Sequence, residues 1–144
     1  MARINNQHGG EYQNEAEEEV IQELLAKLPV DHLIIPNITI PYPATGHVDE
    51  IDALIVGPKW VTVIETKGYT GRVSFDQFVH KVNGEVRTNP VSLTAAKAKR
   101  LKGLFKDLPK EKRPWVTSQV ILAKDPQFLE IKPGVVNHVI RLSH

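Results

Sequence analysis

Apolar positions along the chain recur with two different periods, and the alternation between them divides it into elements. Between Glu15 and Leu28, the residues Val20, Ile21, Leu24, Leu25 and Leu28 fall on one side of a helix, with Asn14 placed as N-cap and Pro29 closing it. Short apolar runs follow at Leu33–Ile35 and Ile38–Ile40, interrupted by Pro36 and ended by Pro41-Tyr42-Pro43, a pattern suited to an edge strand. Residues 50–56 and 60–67 are rich in Val, Ile and Thr, and the turn sequence Gly57-Pro58-Lys59 between them predicts a β-hairpin. Gly68 and Gly71 break the pattern, residues 72–80 offer a further strand, and Asn83-Gly84 marks a turn. Pro90 followed by Leu93–Leu108 predicts a second amphipathic helix ending near Pro109, and Val116–Ala123 and Val135–Leu142 predict two late strands. Helix, strands, helix, strands is the order of an α/β fold with one mixed sheet flanked by helices.

Several charged residues interrupt the apolar faces. Alternation puts Asp52 on the face of Leu54 and Val56, and Glu65 and Lys67 on the face of Val61 and Val63. A loop of Gly57 to Trp60 would set Asp52 opposite Glu65, with Cβ atoms about 4.5–5.5 Å apart. Two carboxylates at that spacing repel unless a divalent cation joins them, and hard oxygen ligands are what magnesium selects. On the first helix, Glu17 points within roughly 15° of the centre of the apolar stripe, so it needs a partner inside the protein. A metal held by Asp52 and Glu65 would supply one. Glu50 has the parity of Asp52 and reads as an outer ligand or a solvated strand-start residue.

Composition narrows the chemistry. The 144 residues are 41% apolar, enough for a single domain with one core. The absence of cysteine excludes disulfides, thiolate metal sites and a cysteine nucleophile. Met1–Gly10 lacks the apolar stretch of a signal peptide, and no run approaches the roughly 18 apolar residues of a membrane span, so a soluble cytoplasmic protein without membrane contact is expected. The net charge of +1 hides two poles: Glu11, Glu15, Glu17, Glu18 and Glu19 at one end, and a basic stretch from Lys97 to Arg113. Lys99, Lys102 and Lys106 point away from the leucine stripe and either meet a phosphate backbone or form a solvated face. Lys97 shares the stripe of Leu93, Leu101, Leu104 and Leu108, so it either snorkels to solvent or reaches the carboxylates as a phosphate clamp. His47, His80 and His138 lack ligand spacing and read as surface or structural residues, while Trp60 and Trp115 read as hydrophobic anchors. No G-x-G-x-x-G, P-loop, G-x-S-x-G or His-rich zinc motif occurs.

The run Glu50-Ile51-Asp52-Ala53-Leu54-Ile55-Val56, followed by Val63-Ile64-Glu65-Thr66-Lys67-Gly68, resembles the nuclease-related domain called NERD, a branch of the PD-(D/E)xK nuclease fold. The resemblance runs from about Glu15 to Ala123. Glu17 fits the acidic helix position that opens that family, and Asn89-Pro90 fits the dipeptide before its second helix. Leu93 departs from the glutamine that many such domains carry three residues after the proline. The stretch Asn89-Pro90-Val91-Ser92-Leu93, continuing through Lys97-Ala98-Lys99-Arg100-Leu101, is more similar to NERD domains fused to bacterial serine/threonine kinases in phage defence. The resemblance implies a restriction-endonuclease-like core and a magnesium- or manganese-dependent deoxyribonuclease acting through Asp52, Glu65, Lys67 and Glu17. In such a site Lys67 would orient the attacking water, or help to deprotonate it if burial lowers the pKa of the amine. The resemblance also implies DNA as the nucleic-acid partner and a chain that is the N-terminal piece of a longer protein. Two other functional classes stand beside this one: a non-catalytic nucleic-acid-binding or protein-interaction module, and a homodimer built by strand pairing.

Overall fold

The computed structural model describes residues 2–4 and 15–142. The expected cap Asn14 and the acidic Glu11 lie outside them. Strands β1 (Arg3–Ile4), β2 (Leu33–Tyr42), β3 (His47–Val56), β4 (Trp60–Lys67), β8 (Trp115–Leu122) and β10 (Val139–Arg141) form a six-stranded mixed sheet in the order β1-β2-β3-β4-β8-β10. Strands β5 (Arg72–Phe75), β6 (His80–Val82), β7 (Glu85–Arg87) and β9 (Phe128–Ile131) form a second sheet in the order β7-β6-β5-β9, where a single sheet was expected. The turn between β6 and β7 is the Asn83-Gly84 pair, both at positive φ (52° and 82°), as a tight hairpin requires.

Helix α1 (Glu15–Lys27) and helix α2 (Pro90–Leu104) cover opposite faces of the larger sheet. On one face, Val20, Ile21, Leu24, Leu25 and Leu28 pack against Ile34, Ala53, Ile55, Ile64 and Ile121. On the other, Ala98 and Leu101 pack against Ile51, Leu54, Val61 and Val63. A third cluster joins the small sheet to that second face, through Val73, Phe75, Val82, Val91, Val120 and Leu122. Asn89 caps α2 by accepting from the Val91 amide at 3.0 Å, and Pro90 occupies the first turn, where no amide hydrogen is needed.

Several elements differ from the sequence expectation. Pro36 does not split β2, which pairs with β3 from Leu33 to Tyr42. Among the described residues β1 pairs only as far as Ile34, so no described strand asks Pro36 for an amide hydrogen on that side. Helix α2 buries Val91, Thr94, Ala98 and Leu101, whereas Leu93, Leu104 and Leu108 are exposed and the helix ends at Leu104. The leucine stripe is therefore displaced from the true inward face. Residues 136–138 form a 3-10 turn, leaving a strand of three residues instead of the run from Val135 to Leu142. Trp60 and Trp115, neighbours across the β4–β8 ladder, are exposed and anchor no core.

Candidate active site

A break in strand alternation creates the site. In β2, Ile35 and Ile38 both join the α2-side core, although three residues apart; in β3, Ile51 and Leu54 do the same. Two residues three apart share a face only if alternation slips once between them. Asn37, at φ 48°, supplies the slip in β2, since asparagine is among the few side-chain-bearing residues that tolerate the left-handed region. Asp52 is the residue that faces it, between the pairs Pro36↔Ala53 and Ile38↔Ile51.

On its other side β3 pairs with β4 from Val56↔Val61 as far as Ala53↔Ile64, and the ladder stops there. The direct pairing expected of Asp52 with Glu65 is not formed. Instead the Asp52 carboxylate enters the parting of the strands and takes the place of a ladder partner, accepting from the Thr66 amide at 2.8 Å and from the Thr66 hydroxyl at 3.1 Å. Both bonds fall on Oδ2. Asp52 thus stands at the junction of the two faces, and alternation alone misplaced it on one of them.

Glu65 and Lys67 project from the end of β4, an interior strand, beside their ladder neighbours Val120 and Leu122 on β8. Lys67 Nζ lies 3.3 Å from Glu65 Oε1. Burial, and next the charge of Asp52, push the Glu65 carboxyl above its usual range against the pull of Lys67 and Lys97. Burial also works against the Lys67 ammonium, but Glu65, Tyr69 and Asp52 outweigh it and hold the amine above its usual range. The expectation that burial would lower the Lys67 pKa is corrected: in this setting Lys67 is a fixed cation.

Lys97 reaches this neighbourhood from α2. Its ammonium donates to the Glu50 carbonyl oxygen at 2.5 Å, and its charge is felt by Glu65. Lys97 is half-buried and flanks the buried stripe of α2 instead of lying on it. Lys99, Lys102 and Lys106 are exposed, as expected of a solvent or phosphate-facing set, with Lys106 beyond the end of the helix. Glu50 is exposed and offers the site its backbone carbonyl.

Glu17 is buried on the inward side of α1. That helix covers the face opposite Glu65 and Lys67, and only its first turn approaches the end of β4. There a Cβ built on Gly68 would lie 3.3 Å from that of Ala16, so glycine permits the close approach. Among the described residues no three carboxylate or imidazole side chains gather closely enough to hold a metal, so Glu17 does not complete a three-carboxylate cage with Asp52 and Glu65 here.

Sequence reasoning missed the charged cluster beside the site. Asp49, buried on β3, accepts from Arg100 Nε at 2.7 Å and Nη2 at 2.9 Å, and pairs with His47 Nε2 at 2.8 Å. Burial raises the Asp49 carboxyl, but hydrogen bonds from Arg100 and His47 overcome it and hold the group below its usual range. This bidentate pair pins α2 to β3 and thereby fixes the approach of Lys97, one helical turn before Arg100. Strict alternation from Leu54 would put Asp49 on the other face, so the slip at Asp52 is what brings it to the α2 side.

Two carboxylates and a cation at the parting of two central strands, with a helix on each face of the sheet, define a nuclease-like α/β domain. The chain belongs to the nuclease-related domain (NERD) family, which matches residues 12–123. Over 81 residues it is 38% identical to the "Probable kinase PglW" of Streptomyces coelicolor, a match covering 53% of this chain and 5% of that protein. The chain therefore spans a small part of the length of the curated relative it matches. No solved structure matches it. No helix among the described residues is long and apolar enough to cross a membrane.

Proposed function

We propose that this domain hydrolyses phosphodiester bonds of DNA with magnesium or manganese, as the nuclease piece of a larger cytoplasmic phage-defence protein. The observation that supports this most is the gathering of Asp52, Glu65 and Lys67 where β3 and β4 part. The donor set suits a hard cation: magnesium is commonly held by one or two carboxylates, with waters and substrate phosphates completing the shell. Asp52, through the Oδ1 that its bonds to Thr66 leave aside, and Glu65 would hold it. Glu17 enters the reading as the buried acidic group of the first helix turn. Bound there, the cation would polarise the scissile phosphate and lower the pKa of a water.

The protein's own groups divide the remaining work. Lys67, kept protonated by Glu65, places a positive charge against the negative charge that develops on phosphorus. Lys97 adds a second charge from α2, and the Thr66 bonds hold Asp52 in place before substrate arrives. Asp52→Asn keeps the shape and the bonds to Thr66 but removes a ligand charge. It is expected to abolish manganese-dependent cleavage of plasmid DNA and the rise in melting temperature that manganese gives the unaltered protein, with little change in metal-free melting. Equal metal-induced stabilisation of both proteins would remove Asp52 from the metal site, and DNA binding without cleavage by the unaltered protein would favour the binding-module reading.

A separate prediction divides the lysines. The triple change Lys99/Lys102/Lys106→Ala is expected to weaken DNA binding irrespective of sequence and to flatten its dependence on log salt by about one unit for each phosphate no longer neutralised. Lys97→Ala is expected to slow cleavage of prebound DNA more than it weakens binding. If the two variants lose binding equally and cleave prebound DNA at the normal rate, Lys97 has no inward role.

A further inference from the structure

The small sheet turns one face to the core, through Val73, Phe75 and Val82, and leaves the other uncovered. Alternation sends the intervening residues outward, and the ladder registers set them side by side. Val86 lies beside Lys81, Lys81 beside Ser74, and Arg72 and Ser74 beside Phe128 and Glu130. A groove of about 620 Å³ runs along this face past Arg72, Ser74, Lys81 and Phe128. The Phe128 ring is 59% exposed, and the Arg72 guanidinium lies over it, its carbon 4.7 Å from the ring centroid. Glu130 is paired with Lys132, whereas among the described residues neither Arg72 nor Lys81 has an ion-pair partner.

The stacked pair stands on a fixed backbone. Asn83 Oδ1 accepts from the Arg72 amide at 2.9 Å, and the Gly71 carbonyl accepts from the Phe128 amide at 3.0 Å. Gly71 has φ 83°, and a Cβ there would lie 2.2 Å from Asn83 Oδ1, so the entry to β5 requires glycine. Only Gly68-Tyr69-Thr70-Gly71 separates Lys67 from Arg72. Their Cα atoms are therefore at most about 18 Å apart.

We propose that this face binds single-stranded DNA, with a base stacked on the Arg72–Phe128 pair and Lys81 against the backbone phosphates. Every base has a flat face that an exposed ring or a guanidinium plane can meet, and the two cations answer the charge of the strand. Duplex DNA offers phosphates to the cations but keeps its base faces stacked on one another, so the ring selects the single strand. An acidic protein segment would satisfy the charges and leave the ring without a flat partner. The choice of DNA rests on the nuclease reading, whereas the binding itself needs no metal and no cleavage.

Fluorescence anisotropy in EDTA, with a labelled single strand of about twelve nucleotides, its duplex and its abasic counterpart, tests the surface. The unaltered protein should bind the single strand, and a fluorescent adenine analogue within it should change its emission on stacking. Phe128→Ala and Phe128→Leu should each weaken that binding by about tenfold, and Phe128→Trp should retain it. Leucine keeps the apolar bulk without the flat face, so its loss identifies stacking. Duplex and abasic affinities should be the same in every variant of Phe128. Lys81→Ala should flatten the dependence of single-strand binding on log salt by about 0.7 of a unit. Equal single-strand affinity in the unaltered protein and Phe128→Ala overturns the proposal, as does an equal loss on the abasic strand. Preference for a polyglutamate peptide over the strand overturns it in favour of a protein partner. Binding as expected, with no cleavage once manganese replaces EDTA, upholds the surface and overturns the nuclease reading.

Discussion

Alanine at Lys67 is expected to lower the single-turnover rate of manganese-dependent DNA cleavage by about 100- to 1,000-fold, the usual effect of deleting one charge-stabilising donor from a preorganised site. Folding should survive, because Lys67 is half-buried and its aliphatic stem alone contributes packing against the Leu122 side of the sheet. Removing the cation also releases a restraint on Glu65, whose carboxyl already lies above its usual range through burial and the charge of Asp52. Rapid-quench assays on prebound DNA separate the chemical step from binding. Lys67→Arg tests the geometry: it keeps the charge, but its planar fork cannot occupy the space of a compact ammonium, so only partial recovery is expected. A normal rate in Lys67→Ala would remove Lys67 from the reaction.

Arg100→Ala is expected to be among the most destabilising single changes near the site, because it takes both guanidinium bonds from the buried Asp49 carboxylate and leaves it the exposed His47 as a partner. Breaking a fully buried pair costs about 3–5 kcal/mol, and solvent access to Arg100 reduces that here to about 2–3 kcal/mol. At about 4 °C per kcal/mol for a domain of this size, the melting temperature should fall by about 10 °C. The pH dependence has a definite sign. The folded Asp49 carboxyl sits below its usual range, so the stabilisation from the pair is present above the ordinary carboxylate pKa of about 3.9 and is lost as pH falls through the lowered value. The gap in stability between the two proteins should therefore be full at neutral pH and close in acid. A gap that persists unchanged through the acid range would show that Arg100 acts through packing alone.

Most of the fold was legible because its strongest signals are local. The apolar periodicity of α1, the Val and Ile runs of β3 and β4, and the Asn83-Gly84 turn each need only neighbouring residues to declare themselves. The residues of the site were legible in the same way: a carboxylate or an ammonium in an apolar run is conspicuous. Their arrangement was not. Alternation assumes an unbroken extended backbone, and one left-handed residue, Asn37, exchanges the faces of everything beyond it on two strands. That slip hid Asp49 and put Asp52 on the wrong footing. The register of α2 failed for a different reason. Its central buried positions, Thr94 and Ala98, are small, while Leu93 and Leu104 remain outside and Leu101 alone of its leucines is buried. The second sheet was hidden because strands of three or four residues carry too few positions to reveal a period.

The slip at Asn37 and Asp52 also decouples two kinds of substitution that ordinary strands tie together. A residue on a regular strand belongs to one hydrophobic layer or to the solvent, and changing its chemistry disturbs whichever neighbour shares that surface. Asp52 belongs to neither layer: Ala53 and Ile55 serve one helix, Ile51 and Leu54 the other, and the carboxylate lies in the seam between them. Chemistry at that seam can be altered without opening a void on either side. A domain built this way can exchange the acidic group at position 52 for another side chain of its shape while its scaffold stays intact, so under the proposed nuclease reading catalytic and purely binding forms of the same fold would differ by a single side chain.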